Sequence, residues 1–318
     1  MSIPVTPENP LALIAGPTAS GKSAVAIALA QRIEADGRRA VIINADSAQV
    51  YADLQILSAR PTEEEMEGIE HRLFGAWDGA EACSAAAWAA RAKAEIADCH
   101  EQGAVPILVG GTGLYLKVLL EGIAPIPEID PAVRAAVRAL EEADAYKLLQ
   151  IEDPERAAML DPGDSQRVAR ALEVKRATGV TLGDWQLAKA GGIAEEVTLH
   201  PLIIEPERQW LYDRCDVRFE AMLDAGAIAE VETLLARGLD PELPVMRAIG
   251  VPEIAAWLAG EIEADEVIAS GAQATRNYAK RQFTWFRRQP PPEWPRVHPD
   301  WESENIDIDS QFASLLRK

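Results

Sequence analysis

One segment constrains this chain above all others. Gly16-Pro17-Thr18-Ala19-Ser20-Gly21-Lys22-Ser23 satisfies G-x-x-x-x-G-K-[ST] at every fixed position. The apolar run 11–15 precedes it and the helix-like run 24–33 follows. A buried strand, a glycine-rich turn and a helix N-terminus are therefore expected in that order. Glycines let backbone N–H groups converge on one anion, and the helix start adds partial positive charge. Lys22 supplies a full charge for an outer phosphate, and the Ser23 hydroxyl is a ligand for Mg²⁺. The loop is expected to bind a polyphosphate group, with a nucleotide as the default ligand.

Further apolar runs at 40–44, 105–109 and 202–204 read as buried parallel strands, and Leu73 and Phe74 add a shorter one. Helical patterns lie between the first three long runs. The expected fold class is α/β: a P-loop NTPase-like parallel sheet flanked by helices, with a helical insertion domain. The Pro-rich break at 121–131 opens a stretch with helical patterns and no convincing strand. The expected division is a catalytic core of 1–122 and 198–289, with C-terminal helices, and an insertion of 123–197. The tail 290–318 begins Pro290-Pro291-Pro292 and is expected to be loosely ordered.

The net charge of -20 argues against a generally basic nucleic-acid binder. Locally the balance reverses: Arg276, Lys280, Arg281, Arg287 and Arg288 lie in a run without any acid. The same run interleaves Tyr278, Phe283, Trp285 and Phe286, a mixture that serves core packing or base stacking. Cys83, Cys99 and Cys215 are widely spaced, and four scattered histidines form no metal motif. A reducing, cytoplasmic setting is expected. No run reaches the roughly 18 apolar residues of a membrane helix, and residues 1–10 do not read as a secretory signal.

The strand 40–44 is followed by Ala45-Asp46-Ser47, which places Asp46 at a carboxyl end, where open α/β sheets bind ligands. That position suits a general base, a water-mediated magnesium ligand, or a helix cap shared with Ser47. The strand 105–109 ends instead in Gly110-Gly111-Thr112-Gly113. It lacks the carboxylate with which phosphate-hydrolysing P-loop proteins help hold Mg²⁺.

Seven segments together resemble bacterial tRNA dimethylallyltransferases. They are GPTASGKS from Gly16, INADSAQVY from Ile43, HRLF from His71, LVGGTGLY from Leu108, DSQRVARALEV from Asp164, RAIG from Arg247 and TRNYAKRQFTWFR from Thr275. The likeness runs from about residue 11 to residue 288. It implies transfer of a dimethylallyl group from dimethylallyl diphosphate to N6 of adenine 37, in tRNAs reading codons that start with U. It implies Asp46 as base on the N6 amine, Thr112 near the reacting centre, and Arg218 on the donor's diphosphate. The phosphate loop would cradle that diphosphate, with Mg²⁺ on Ser23. Contacts to tRNA are implied at Asp46, Ser47, Ala48, Gln49, Thr112 and Arg134, at Gln166, Arg167, Val168, Ala169 and Arg170, and at Arg247. The expected partners are tRNA, through its anticodon stem-loop, and dimethylallyl diphosphate, with no membrane. The enzyme is expected to be a monomer.

The chain departs from the family pattern twice. Arg60-Pro61 stands where Lys-Pro is common, which keeps the charge and changes its geometry. Gly250-Val251-Pro252 follows RAIG where aromatic and basic residues are more usual, and Pro252 lacks an N–H donor. Without the resemblance, the residues also fit an ATP-dependent small-molecule kinase or a prenyltransferase for free adenine nucleotides. A non-enzymatic RNA-binding module fits less well, because it leaves the phosphate loop and Asp46 unexplained. The helical stretch carrying Gln166 and Arg170 speaks for an RNA substrate, since neither rival enzyme needs an RNA clamp.

Overall fold

The structure, a computed structural model, describes residues 9–299 and 306–317. The reading of the extreme N-terminus as no secretory signal falls mostly on residues 1–8, outside the described residues. The chain divides into two compact units, Met1–Leu119 with Ala194–Lys318, and Leu120–Ile193.

The first unit opens with β1 (Pro10–Ala15), α1 (Lys22–Ala35), β2 (Arg39–Asn44), β3 (Glu70–Arg72), α2 (Ala85–Glu101), β4 (Ala104–Gly110) and most of α3 (Gly113–Glu121). The second unit holds β5 (Gly122–Ile123), α4 (Pro131–Arg138), α5 (Glu142–Glu152), α6 (Pro154–Met159), α7 (Ser165–Thr178), α8 (Leu182–Leu187) and β6 (Ala190–Gly191). The first unit resumes with β7 (Thr198–Ile204), α9 (Arg208–Asp224), α10 (Ala227–Ala236), α11 (Val251–Leu258), α12 (Ala264–Arg288) and β8 (Arg296–Val297). It closes with α13 (Ile308–Gln311) and α14 (Ala313–Leu316).

Six strands form one parallel sheet in the order β3-β2-β4-β1-β7-β8. Every residue of β4 and residues 11–15 of β1 are buried, as a strand covered on both faces requires. The helix α1 lays Val25, Ala26, Leu29, Ala30 and Ile33 on the sheet. These pack in one cluster with Ile14, Ile42, Ile107 and Ile204. The register decides where the site forms. Ala15 pairs with Gly110, and Asn44 with Val109. Three central strands therefore end level, and the loops after β1, β2 and β4 leave from one edge.

Three local expectations change. The short strand lies at Glu70–Arg72 rather than at Leu73 and Phe74. Leu73 has φ of +64°, which takes the chain off the ladder, and Arg72 anchors the strand through Glu70, Glu95 and Asp98. The tail is not loosely ordered in its described part. β8 extends the sheet beside β7, and Phe312 and Leu315, 1 % and 3 % exposed, join the α1 cluster. These two buried side chains, with the partly buried Ile306, Ile308 and Leu316 beside them, supply the anchor. The second unit spans Leu120–Ile193 rather than 123–197, because a two-residue antiparallel ladder, Gly122↔Gly191 and Ile123↔Ala190, closes it.

Within that unit α7 is central. Val168, Ala171 and Leu172 pack with Val137, Ala145, Leu149 and Ala157, and Val174 faces Ile129 and Leu182. Asp164 caps α7 by accepting the Arg167 N–H at 3.2 Å, and Gly179 with φ of +74° ends it. No helix among the described residues is long and apolar enough to cross a membrane.

Candidate active site

The loop after β1 turns through Ala19, with φ of +60°, and Gly21, with φ of +87°, into the first turn of α1. A non-glycine residue in the left-handed region is strained, and such strain gathers at functional sites. The first amides of α1 have no intrahelical partner and point into this loop. Lys22 lies inside it and donates to the Pro17 carbonyl at 2.5 Å. Surrounding protein desolvates the ammonium and lowers its pKa to about 8, against the opposing pull of Asp46 and with a further push from Arg218. A desolvated cation of this kind gains when a phosphate charge arrives beside it.

The loop after β2 is braced from several sides. The Asn44 side chain is buried and donates to the Asp46 and Leu73 carbonyls at 3.0 and 3.2 Å. Trp88 Nε1 donates to the Asn44 carbonyl at 3.0 Å. Asp46 Oδ1 accepts the Ala48 N–H at 2.9 Å, which leaves Oδ2 without a donor among the described residues. The loop after β4 closes against it. The Ser47 N–H donates to Thr112 Oγ1 at 2.9 Å, and that hydroxyl donates to Ser47 Oγ at 3.1 Å. Gly110 allows the approach, since a Cβ there would strike the Ala45 backbone.

Two helices complete the site. On α9, Cys215 and Phe219 are buried and Val217 is exposed, and Arg218 between them faces the cavity. Burial lowers the Arg218 pKa, while Asp46 opposes the fall. On α12, Tyr278 lies beside Thr112 and Ser47. Burial and the Asp46 charge push its phenol well above the ordinary range, against the effect of those two hydroxyls. A loop from Gln55 to Leu57 forms another wall. Its three backbone N–H groups all donate to the Glu230 carboxylate of α10, at 2.6, 2.9 and 3.0 Å.

These parts enclose one cavity of about 900 Å³. Lys22, Ser23, Asp46 and Arg218 bring charge and oxygen to it, and Ile42, Phe74, Phe219 and Met222 give apolar wall. That volume suits a drug-sized ligand with polar groups at fixed points. Thr18 to Ser23 line the cavity, whereas Gly16 and Pro17 set the turn behind it. Asp46, Ser47, Ala48, Gln49 and Arg247 also line it, but the Gln49 amide nitrogen is already used on the Ser58 and Ala59 carbonyls. Thr112 acts from behind through Ser47. Ser23 and Asp46 give oxygen donors beside the phosphate loop, and no cluster of three His, Cys, Asp or Glu exists among the described residues. Such a sparse set fits Mg²⁺ that is held mostly by phosphate oxygens and water.

The remaining expected residues belong to the second unit. Arg134, Gln166 and Arg167 are exposed. Arg170 sits 3.6 Å from the buried carboxylate of Glu173. Val168 is 1 % exposed and packed in the core, so its side chain cannot meet a ligand. Pro252 sits in the first turn of α11, where a missing N–H has no intrahelical acceptor to lose. Sequence reading gave Tyr278 no role in the site and missed Gln282, although their spacing of four puts both on the face of α12 that meets the loops.

Known proteins match this arrangement along nearly the whole chain. A tRNA dimethylallyltransferase of Erythrobacter litoralis (strain HTCC2594) is 66% identical over 317 residues, which cover 98% of this chain and 99% of that one. The crystal structure of the full-length tRNA isopentenylpyrophosphate transferase from Bacillus halodurans has a TM-score of 0.67 at 31% identity, with 97% of each chain covered. A eukaryotic dimethylallyltransferase, captured in crystallographic snapshots acting on tRNA, reaches 0.73 at 28% identity. That match covers 87% of this chain and 69% of the other. The model of the IPP transferase family spans residues 49–289. With relatives this close and the phosphate loop, Asp46 and Arg218 gathered in one cavity, the chain belongs to the IPP transferase family.

Proposed function

We propose that the protein is a tRNA dimethylallyltransferase. It moves the dimethylallyl group of dimethylallyl diphosphate to N6 of adenine 37, in tRNAs reading codons that start with U. The products are N6-(dimethylallyl)adenosine and diphosphate. One observation carries the reading: Asp46 and the phosphate loop face the same cavity, with Arg218 beside them.

The chemistry divides between those groups. The adenine amine is a weak nucleophile, because its lone pair is shared with the ring. As N6 bonds to the allylic carbon, the carbon–oxygen bond to diphosphate breaks and the nitrogen becomes acidic. Asp46 takes the proton, an effect worth about 10²–10⁴ in rate. Charge grows on the departing diphosphate, and the loop amides, Lys22 and Arg218 are aimed at it. The Ser23 hydroxyl would hold Mg²⁺, which would neutralise part of that charge. Apolar walls receive the five-carbon chain. An anticodon-loop adenine is unpaired, so turning it out into a cavity costs only a few kcal/mol. On the second unit, Arg134, Gln166, Arg167 and Arg170 serve as tRNA contacts, and an acidic enzyme that binds through local basic groups does so in a salt-sensitive way. We read the enzyme as a cytoplasmic monomer.

The test is direct. Purified protein, Mg²⁺ and dimethylallyl diphosphate are incubated with unmodified tRNA carrying A36-A37, and the digested tRNA is weighed by mass spectrometry. One five-carbon unit on A37 is expected. No such product, together with ATP-dependent phosphorylation of a small molecule, would overturn the reading.

A further inference from the structure

The side chain of Gln282 lies in the C-terminal third of α12, 5 % exposed, beside neighbours that include the exposed Lys280 and Arg281. Both halves of its amide are engaged. Oε1 accepts the Thr18 N–H at 2.7 Å, and Nε2 donates to the Gly111 carbonyl at 2.9 Å. The amide has only one workable orientation, because flipping it would face a donor with a donor and an acceptor with an acceptor. Gly111 leaves no room for a side chain, since a Cβ there would run into Gln282 Nε2 and reach 3.0 Å from the Gly16 carbonyl.

The two partners belong to different halves of the site. Thr18 is in the phosphate loop, and its N–H is held by Gln282. Gly111 precedes Thr112, which holds Ser47, the residue beside Asp46. One side chain thus spans from the loop that grips the leaving group to the loop that steadies the base. Tyr278, one turn earlier on α12, supports the second loop from the same face. Gln282 is absent from the cavity lining, so it acts through these loops and not on a substrate.

We propose that Gln282 is a positioning residue that sets the distance between the diphosphate cradle and the acceptor loop. The inference rests on the prenyl-transfer reading above. Misplacing reacting groups by about 1 Å costs about 10²-fold in rate, with each substrate still able to bind its own half. Gln282→Leu removes both bonds at similar volume. It is expected to lower the single-turnover transfer rate about 100-fold, with the Kd values of tRNA and inorganic diphosphate held within about threefold.

Gln282→Glu gives an independent signature. Ionised, the carboxylate still accepts from Thr18 but opposes the Gly111 carbonyl. Protonated, it reproduces the amide's one donor and one acceptor, and burial between these groups raises its pKa. The rate of Gln282→Glu relative to wild type should therefore rise as pH falls from about 8 to about 6, while the relative rate of Gln282→Leu stays flat. Lys22, whose pKa lies near 8, faces the site in every version, so its titration cancels in the ratio. A Gln282→Leu rate within about threefold of wild type, or a flat Gln282→Glu ratio, overturns the proposal while prenyl transfer stands. If Gln282→Leu does not fold, the Gln282→Glu ratio decides alone. A wild-type protein that transfers no dimethylallyl group overturns the reading and the inference together.

Discussion

On the proposed mechanism, replacing Asp46 with asparagine separates proton removal from the other work of that residue. Oδ1 accepts the Ala48 N–H, and an asparagine oxygen accepts it too, so the turn survives. What disappears is a negative charge and a basic oxygen. The charge acts partly through Lys22, whose pKa of about 8 it helps to hold up. At pH 7 about 90 % of that lysine is charged. A further fall of about one unit would leave about half charged, a loss of about twofold in donor binding. Loss of a general base costs about 10²–10⁴ in turnover, or about 3–5 kcal/mol of barrier. The base effect therefore exceeds the charge effect by a factor of about 50 or more. Single-turnover transfer by rapid quench at pH 7, with both substrates saturating, measures it, and filter binding reports tRNA affinity in parallel. A rate within tenfold of wild type would refute proton abstraction by Asp46. So would a loss of tRNA affinity that matches the loss of rate.

Other outcomes follow from the same geometry. Inorganic diphosphate should bind less tightly as pH rises through about 8, by up to about tenfold per unit, because the free enzyme must first recharge Lys22. Calorimetry from pH 7 to pH 9 reads this, and Lys22→Gln should show no such slope. Phe312→Ala should cost about 3–5 kcal/mol of stability, as for a full aromatic deletion in a core. Chemical denaturation that finds no loss would mean the tail is not docked. Gly110→Ala places a methyl group against the Ala45 backbone, which cannot swing aside as a side chain would. A loss of about 3 kcal/mol is expected, read as a fall in Tm. An unchanged Tm would show that the two loops are further apart than described.

The parts of the fold that were legible in the sequence are those that write themselves as contiguous patterns. β1, β2 and β4 are buried on both faces, so each is an unbroken apolar run, and the phosphate loop is a fixed spacing of glycines ahead of Lys22. The β5–β6 ladder leaves no such mark. Gly122, Ala190 and Gly191 have too little side chain to alternate, and pairing is fixed by where the chain returns. The docked tail escaped because its apolar residues, Ile306, Ile308, Phe312, Leu315 and Leu316, are interrupted by acids, serines and a glutamine and make no long periodic run. In the site, Asp46 was visible because a strand end announces it, and Tyr278 was noticed only as one aromatic among several. Gln282 was invisible for a deeper reason. An amide on a basic helix reads as surface, and its meaning depends on Thr18 and Gly111, more than 100 positions away in the chain.

The ladder Gly122↔Gly191 also bears on how such a protein can change over time. It brings the two ends of an excursion of about 70 residues side by side, so the central sheet meets that excursion as if it were a hairpin. Exchanging it for a connection of about four residues would relieve about 2.5 kcal/mol of loop-closure entropy and leave every hydrogen bond of the six-stranded sheet in place. The segment is therefore modular in the genetic sense. Its length can change without altering the register of the central sheet.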